Sequence, residues 1–596
     1  MDIKKILIAA AAAFAAIPAL PQNLNPTVEI TNAFEGKLME SEKHTVKMDV
    51  PDSLLKFDLD YDYSVFSTRY GGGYDFAPYL MDMRPEADSY RGRRMYLKAS
   101  AGYALNPVVD FVWSPLEKRN FKLDVFASTD SYYGDYRNIC AVPRDGGATD
   151  LSLVPVTDRA VQSSPYGEDY ASGYDFSSRA GFSSRYDWKS GALSFGAQWR
   201  GINTKSMWTA TNWNSASADF RVFSKDVPQK KFVYDLSVSY SHGQDDFRQL
   251  SGDAPYSCVM TNDLGLSGSV GHSAGVNRLL VAFGLNISDY GKLFDAQVLD
   301  WYLLPKYVIA SQRAFLSLGV RIPFISSSGD SALLGSGSIQ GIYPDIHASY
   351  TIVRDCLNVY ADVTGGETVN TYAALKERYH FLNPSYYQGI TGTLLDNSDE
   401  KFHIRGGFRG NIASVFRFDA SAGYSAVSNG FMESVTGAPL YVSYACDLLP
   451  CVSYSDYRRV YAGFTAGYDR KPVFFDLAFL WNHTVLADGA TGIAPSAFTG
   501  SARVGYNYNE RIKAWVYGAF ASGREGCPNP VRPSAATLST AYVPGYFDLG
   551  LYAEYVVNRN FSVFLRGANL LNASIQRVPL YAERGISVSA GLVWQL

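Results

Sequence analysis

Two short stretches of the chain hold side chains that could take part in catalysis. His242-Gly243-Gln244-Asp245-Asp246 sets two carboxylates beside an imidazole, a grouping that can activate water. His347 and Ser349 fall on one side of a strand, as a base and a nucleophile would. Neither spacing is diagnostic, because His and Asp at strand ends are common, and the chain reads as no enzyme. The acidic run Asp396-Asn397-Ser398-Asp399-Glu400 offers the oxygen ligands calcium takes, but a solvated loop accounts for it as well. Six cysteines, Cys140, Cys258, Cys356, Cys446, Cys451 and Cys527, contain no C-x-x-C pair, so no zinc or redox motif is indicated. Cys446 and Cys451 are spaced to bridge within one loop, or else remain free thiols. No glycine-rich phosphate loop or metal-ligand cluster stands out, and no cofactor is expected.

The more numerous chemistry is charge placed at alternate positions. Lys122, Asp124, Arg185, Asp187, Asp219, Arg221, Arg321, Arg417, Asp419, Arg503, Asp548, Glu554 and Arg566 are candidates to line a water-filled lumen, with Lys98, Asp235 and Asp362 on the same pattern. Rings of charge in a wet lumen tune selectivity. Cross-strand pairing that stiffens a wall explains the same residues, since Arg417 with Asp419 and Arg185 with Asp187 lie two apart on one face.

Such charges need elements with one oily and one polar side. Side chains alternate across a strand. Phe121, Leu123, Val125 and Ala127 oppose Lys122, Asp124 and Ser128. Phe232 to Tyr240, Leu279 to Ile287, Phe416 to Tyr424 and Phe547 to Tyr555 alternate likewise, and so does 54–66. The last strand is clearest. Ile586, Val588, Leu592, Trp594 and Leu596 share an oily face, opposed by Ser587, Ser589, Gly591 and Gln595. A terminal strand of that kind suits membrane insertion and closure onto a first strand. Aromatic residues make up 14% of the chain and charged ones 18%, the balance of a wall with two membrane interfaces. The net charge of −4 argues against a nucleic-acid partner.

The chain starts with a charged segment, Met1 to Lys5, and an apolar run, Ile6 to Ala16, the form of a signal peptide over 1–19. No later apolar run is long enough for a transmembrane helix. Short connections such as Asn411 to Ser414, Asp469 to Pro472 and Asn509-Glu510 alternate with long ones such as Gly134 to Ser177, Gly366 to Lys401 and Ser428 to Asp456. Short periplasmic turns and long extracellular loops define the fold class: all-β, a transmembrane antiparallel β-barrel. Counting 54–66 as the first strand and 95–113 as one long strand gives about 22 strands, within a range of about 18–22, with both ends periplasmic. The domains are then the signal peptide 1–19, a periplasmic N-terminal arm 20–53 and a barrel over 54–596.

The segment Phe561 to Leu596 resembles the end of a TonB-dependent-receptor barrel, through Arg566-Gly567-Ala568-Asn569-Leu570-Leu571-Asn572, Pro579-Leu580-Tyr581, Arg584-Gly585 and the final strand. Tyr343-Pro344-Asp345-Ile346, and Asn370-Thr371-Tyr372 to Asn383-Pro384, resemble interior parts of such barrels. The resemblance covers most of 90–596 and is closest to plug-less members of Bacteroidetes-type outer membranes. It implies a location in the outer membrane of a Gram-negative bacterium. The family's plug, well over a hundred residues, has no counterpart in the roughly 35 residues between signal peptide and expected first strand. Thr27-Val28-Glu29-Ile30-Thr31 faintly resembles the energy-coupling box, but reads as ordinary extended arm. Two functions follow: a passive or loop-gated channel for polar solutes, or a non-transporting accessory subunit of an outer-membrane complex. Expected partners are outer-membrane lipid, the barrel-assembly machinery during insertion, and an outer-membrane or periplasmic protein.

Overall fold

The computed structural model describes residues 94–596 apart from 119, 145–146, 157–168, 207–209, 226–231, 248–256, 294, 330–333, 336–337, 355, 385–392, 438–447 and 530–539. Residues 1–93, and with them the expected signal peptide, arm and strand 54–66, lie outside the described residues. The described chain forms a closed antiparallel barrel of 22 strands. Each barrel strand pairs with the next, and the first, Met95–Tyr103, pairs with the last, Ser587–Gln595, from Tyr96 opposite Gln595 to Tyr103 opposite Val588. Main-chain bonds of 2.9 Å run both ways between Met95 and Leu596 and seal the seam at its periplasmic end. Closure leaves no free edge, the condition for a sheet that crosses lipid.

The strands form where period-two alternation is strict, and they stop at residues that suit tight turns. In the turns after Asn397–Ile412 and Phe498–Tyr508, the two central residues have positive φ: 54° and 57° at Ala413 and Ser414, 49° and 58° at Asn509 and Glu510. Val415 N donates to Ile412 O at 3.0 Å and Arg511 N to Tyr508 O at 2.9 Å. Such a turn has the twist of the strands it joins, which sets the register of the hairpin.

The expected single strand 95–113 is two strands, Met95–Tyr103 and Val108–Lys118, joined at the outer end by Ala104 to Pro107. Pro107 has no N–H to give to a ladder, so the run cannot continue through it. The strand count of 22 is therefore reached with Met95–Tyr103 as the first strand of the ring. The long loops are also shorter than the sequence suggests. Phe121–Arg137, Phe416–Gly437 and Leu448–Arg470 continue as hairpin strands into stretches expected to be loop. Polar residues there still pair main chain to main chain, which alternation alone does not report.

The outer ends carry further structure. Ile139–Arg144 and Gly147–Pro155 form a hairpin, and Gly147–Pro155 pairs in parallel with Thr540–Val543 of a distant loop. Leu151, Leu153, Val435, Ile493, Ala541 and Val543 are buried between them. A seven-residue helix, α1 (Tyr372–Arg378), sits in the segment between Leu357–Val369 and Asn397–Ile412. Thr371 caps it, its Oγ1 accepting from Ala374 N at 3.3 Å.

Candidate functional site

The pairing register shows which side chains share the inside of the wall. Lys98 lies opposite Asp110, Asp110 opposite Ser128, and Ser128 opposite Arg179. From the other edge, Tyr552 lies opposite Arg566, Arg566 opposite Ser589 and Ser589 opposite Gly102 on the first strand. Asp110, Ser128, Arg179, Arg566 and Ser589 line a cavity of about 1250 Å³ within the ring. The face they define is the lumen face.

All the candidate lumen residues fall on this face. Lys122 pairs with Asp124 at 3.2 Å, and Asp187 sits between Arg185 at 3.1 Å and Lys225 at 2.8 Å. Arg221 holds Asp235 with two bonds, 2.8 and 2.6 Å, while Asp219 lies across from Gly196. Arg321 donates to Glu367 at 3.0 Å. Asp419 accepts from Tyr360 Oη at 2.7 Å, and Glu554 from Ser562 Oγ at 2.5 Å and Tyr552 Oη at 3.2 Å. Asp548 is fully buried beside Ala519 on the next strand. Arg185 and Asp187 pair as their spacing suggests; Arg417 and Asp419 do not. Arg417 instead reaches Asp476 at 3.1 Å, which also holds Arg503 at 3.1 Å. The pair meets across Gly467, the residue opposite Arg417 on the next strand and opposite Asp476 on its other side, where the absence of a side chain leaves room for both groups. On the opposite face Ile586, Val588, Leu592, Trp594 and Leu596 are exposed, as a lipid-facing strand requires.

The outer end of the lumen is packed. Tyr372 and Leu375 of α1, with Tyr379, Leu382, Leu394 and Leu395 after it, join inward residues of the wall such as Trp213, Phe247, Val259, Ile325 and Phe431 in one apolar core. Inside that core lies a charge. Lys376 and Asp245 are both wholly buried, 3.1 Å apart. Lys376 Nζ also donates to Thr211 Oγ1 at 2.7 Å and Leu382 O at 2.9 Å, and Tyr372 Oη donates to Asp245 at 2.5 Å. Burial holds the Lys376 ammonium below its usual lysine pKa, and the Asp245 carboxylate opposes that shift. Around this seat, His380 meets Asp175 at 2.9 Å and Arg200 meets Glu377 at 2.6 Å. Glu433 accepts from Tyr379 Oη at 3.0 Å and pairs with Arg524 at 2.6 Å, so one carboxylate ties two loops.

A second clamp is the last outer loop. Asn569, at φ 46°, donates to Ala573 O at 2.9 Å and Arg584 O at 3.0 Å and accepts from Ala573 N at 2.8 Å. Gln576 donates to Leu153 O at 2.9 Å, and Arg584 pairs with Asp130 at 2.8 Å. The stretch Arg566 to Asn572 thus carries both a lumen residue and the loop's keystone.

The other chemistry suggested by sequence is used up within the wall. His347 has Asp362 at 2.9 Å on Nδ1 and Asp345 at 3.4 Å on Nε2, which leaves no ring nitrogen for Ser349. His242 bonds Asn262 at 2.8 Å, while Asp245, two residues beyond the next, turns to Lys376. The acidic run is no solvated loop: Asn397, Ser398 and Asp399 are buried at the start of a strand, and Asp399 accepts from Tyr343 Oη at 2.8 Å. Cys451 is a buried free thiol of the apolar core that packs the outer end of the lumen, the cap, and Cys446 lies outside the described residues. Lys376 and Glu433 were not among the sequence candidates, and Tyr372 and Asn569 stood only within stretches that carry the family resemblance. The signal for Lys376 was a cation amid Tyr372, Leu375, Tyr379 and Leu382, at helical spacing inside a long loop.

A closed 22-strand antiparallel barrel with an apolar outer belt and a charged lumen has the fold of outer-membrane receptor barrels. No family model matches the sequence, and no curated protein matches it. Solved structures of similar fold include the copper transporter OprC, 11% identical, with 85% of this chain and 80% of that one covered at a TM-score of 0.58. The FrpB iron transporter from Neisseria meningitidis is 10% identical, with 85% and 81% covered at 0.60, and the siderophore receptor PirA from Acinetobacter baumannii 10%, with 84% and 80% at 0.58. The barrel is thus like those of TonB-dependent receptors.

Proposed function

We propose that this barrel is a loop-gated channel for small polar solutes, and that the segment carrying α1 is the gate. One observation carries the reading. A lumen lined by partly exposed charges, which only water can sustain, ends at its outer side in a separately packed layer seated through Lys376 and Asp245. The transport roles named for the similar structures concern metals and siderophores; here they support passage through the barrel and nothing about cargo. Lipid and the barrel-assembly machinery would meet the apolar face of the C-terminal strand.

The test is single-channel conductance in planar bilayers, wild type against Lys376→Met. The variant is expected to show larger or longer open steps, because it leaves Asp245 buried without its cation. Silence from both, with the barrel shown to be folded, overturns the channel. It would favour the accessory-subunit reading, which the cap's extensive core also fits, since a core of that kind suits a fixed platform.

A further inference from the structure

We infer that the lumen cavity bordering the gate binds an uncharged solute rich in hydrogen-bond donors, either hydroxyls or amides; this rests on the channel reading above and names the kind of solute the channel admits. The cavity, about 1250 Å³, is bounded by the gate as well as by the wall. Glu377, His380, Phe381 and Asn383 line it together with Asp110 and Ser589. A solute resting there touches both.

The lining leaves acceptors open. Asn106 Oδ1, Asn482 Oδ1 and Tyr136 Oη are buried there with no hydrogen-bond partner among the described residues. Asn106 is 8% exposed and Asn482 4%. Asn482 Nδ2 donates to Ser496 O at 3.4 Å, which turns its own carbonyl oxygen the other way. A buried acceptor without a donor costs free energy, so these positions call for donors from outside the chain. They stand on separate elements: Asn106 between Met95–Tyr103 and Val108–Lys118, Tyr136 near the outer end of Phe121–Arg137, and Asn482 on Val473–Leu486. Single waters can meet them one at a time. A solute with donors at several positions displaces those waters together.

The charged groups of the lining answer one another instead. Arg584 holds Asp130 at 2.8 Å, His380 holds Asp175 at 2.9 Å and Arg200 holds Glu377 at 2.6 Å. Arg524 holds Glu433 at 2.6 Å, with Arg378 at 3.8 Å from the same carboxylate, and Arg577 holds Glu583 at 3.1 Å. Asp110 sits among Lys98, Arg179 and Arg566, and Arg179 donates to Ser128 Oγ at 2.7 Å. An ion entering this lattice has to displace a partner already in place. A hydroxyl or amide N–H meets the open acceptors without that cost. Phe381 of the gate stacks on Tyr581 at 5.2 Å and meets Tyr136 edge-on at 5.6 Å. The Tyr136 hydroxyl therefore stands beside an apolar surface that suits the carbon skeleton of such a solute.

The experiment is isothermal titration calorimetry on the detergent-solubilised full-length protein. The probes are maltotriose, which donates from hydroxyls, and acetyl-trialanine amide, which donates from amides. Binding of at least one is expected, with an affinity that holds as salt rises, because the probe carries no charge to screen. Tyr136→Phe removes an oxygen that bonds nothing among the described residues, so the fold should be untouched. Affinity should fall about fivefold, the loss of one neutral hydrogen bond. Asn482→Ala should act alike. No heat from either probe, or binding that both variants leave unchanged, overturns the inference. So does tighter binding of trilysine or triglutamate that weakens with salt, which would mean that the cavity reads charge. Conductance judges the channel separately: a bound probe in a silent barrel keeps the binding site and fails the channel, and conductance without binding does the reverse.

Discussion

The two ends of the lumen draw on the same residues and use them in opposite ways. At the outer end Lys376 and Asp245 are wholly buried, and every hydrogen-bonding direction of the ammonium is taken by Asp245, Thr211 or Leu382 O. Toward the periplasm, the Arg417 side chain is 74% exposed and bonds Asp476 from the water side. A charge pair in a packed layer is a structural commitment, because removing one partner strands the other in an apolar medium. A pair in a wet wall costs little to break and instead shapes the field that a solute meets. Stability should therefore be concentrated in the cap, and selectivity in the wall below it.

The largest test of that division is Lys376→Met. It should loosen the cap by about 3–5 kcal/mol, the cost of an uncompensated buried charge. Amide exchange over 372–384 should accelerate by orders of magnitude while the periplasmic halves of the strands stay protected. The double change Lys376→Met/Asp245→Leu should recover most of the loss, since no stranded charge remains. If exchange in the wall rises along with exchange in the cap, the two regions are one cooperative unit and the comparison fails.

The last outer loop gives a smaller and separable effect. Asn569→Ala removes three hydrogen bonds and places alanine at φ 46°. Buried bonds of this kind contribute about 1 kcal/mol each, and the left-handed backbone adds to the cost, so a loss of about 2–4 kcal/mol is expected in the loop. Protease cleavage within 570–586 should appear before any change in heat-resistant migration of the barrel. Loss of the barrel itself would show that the loop is needed to close the seam between first and last strands.

The wall was far more legible in the sequence than the cap. A strand shows its faces to a reader directly, since period two survives in Phe416 to Tyr424 whatever lies across the ladder. That is why Arg417, Asp419 and Arg503 could be placed on the lumen side, although their partners could not: Asp476 becomes the neighbour of Arg417 only once the register is fixed. The cap depends on meetings between distant segments. Asp245 and Lys376 are far apart in the chain, and neither stretch announces the other. Asp245 was noticed for the wrong chemistry, as one of two carboxylates beside His242. The acidic run from Asp396 misled for the same reason, because composition suggested solvent where Tyr343 and the strand ladder bury it.

The turns offer a test of intermediate size and opposite sign. Ala413 and Ser414 hold positive φ in a turn that favours Gly or Asn, and no side chain is needed there. Ala413→Gly should stabilise the hairpin by up to about 1 kcal/mol, the left-handed penalty less the added freedom of the unfolded chain. It should leave both conductance and cap exchange unchanged, since the turn lies at the periplasmic rim. A slower refolding rate would show that the strained turn is not what limits the hairpin.

The smallest effect bears most directly on the wall. Arg221 and Asp235 form the best-aligned pair among those described in the lower lumen, with two bonds of 2.8 and 2.6 Å, yet both side chains stay well exposed. Alignment alone would suggest a strong contribution. Solvent screening and the entropy of holding two long side chains argue for about 0.5 kcal/mol or less. Arg221→Ala should therefore barely move the unfolding midpoint in guanidinium, while Asp235, left without this guanidinium, makes the lumen one charge more negative. That change should shift the reversal potential toward cation passage at low salt, with the difference fading as salt rises. A stability loss of several kcal/mol would mean that this part of the wall is as dry as the cap, and the contrast between the two ends would have to be redrawn.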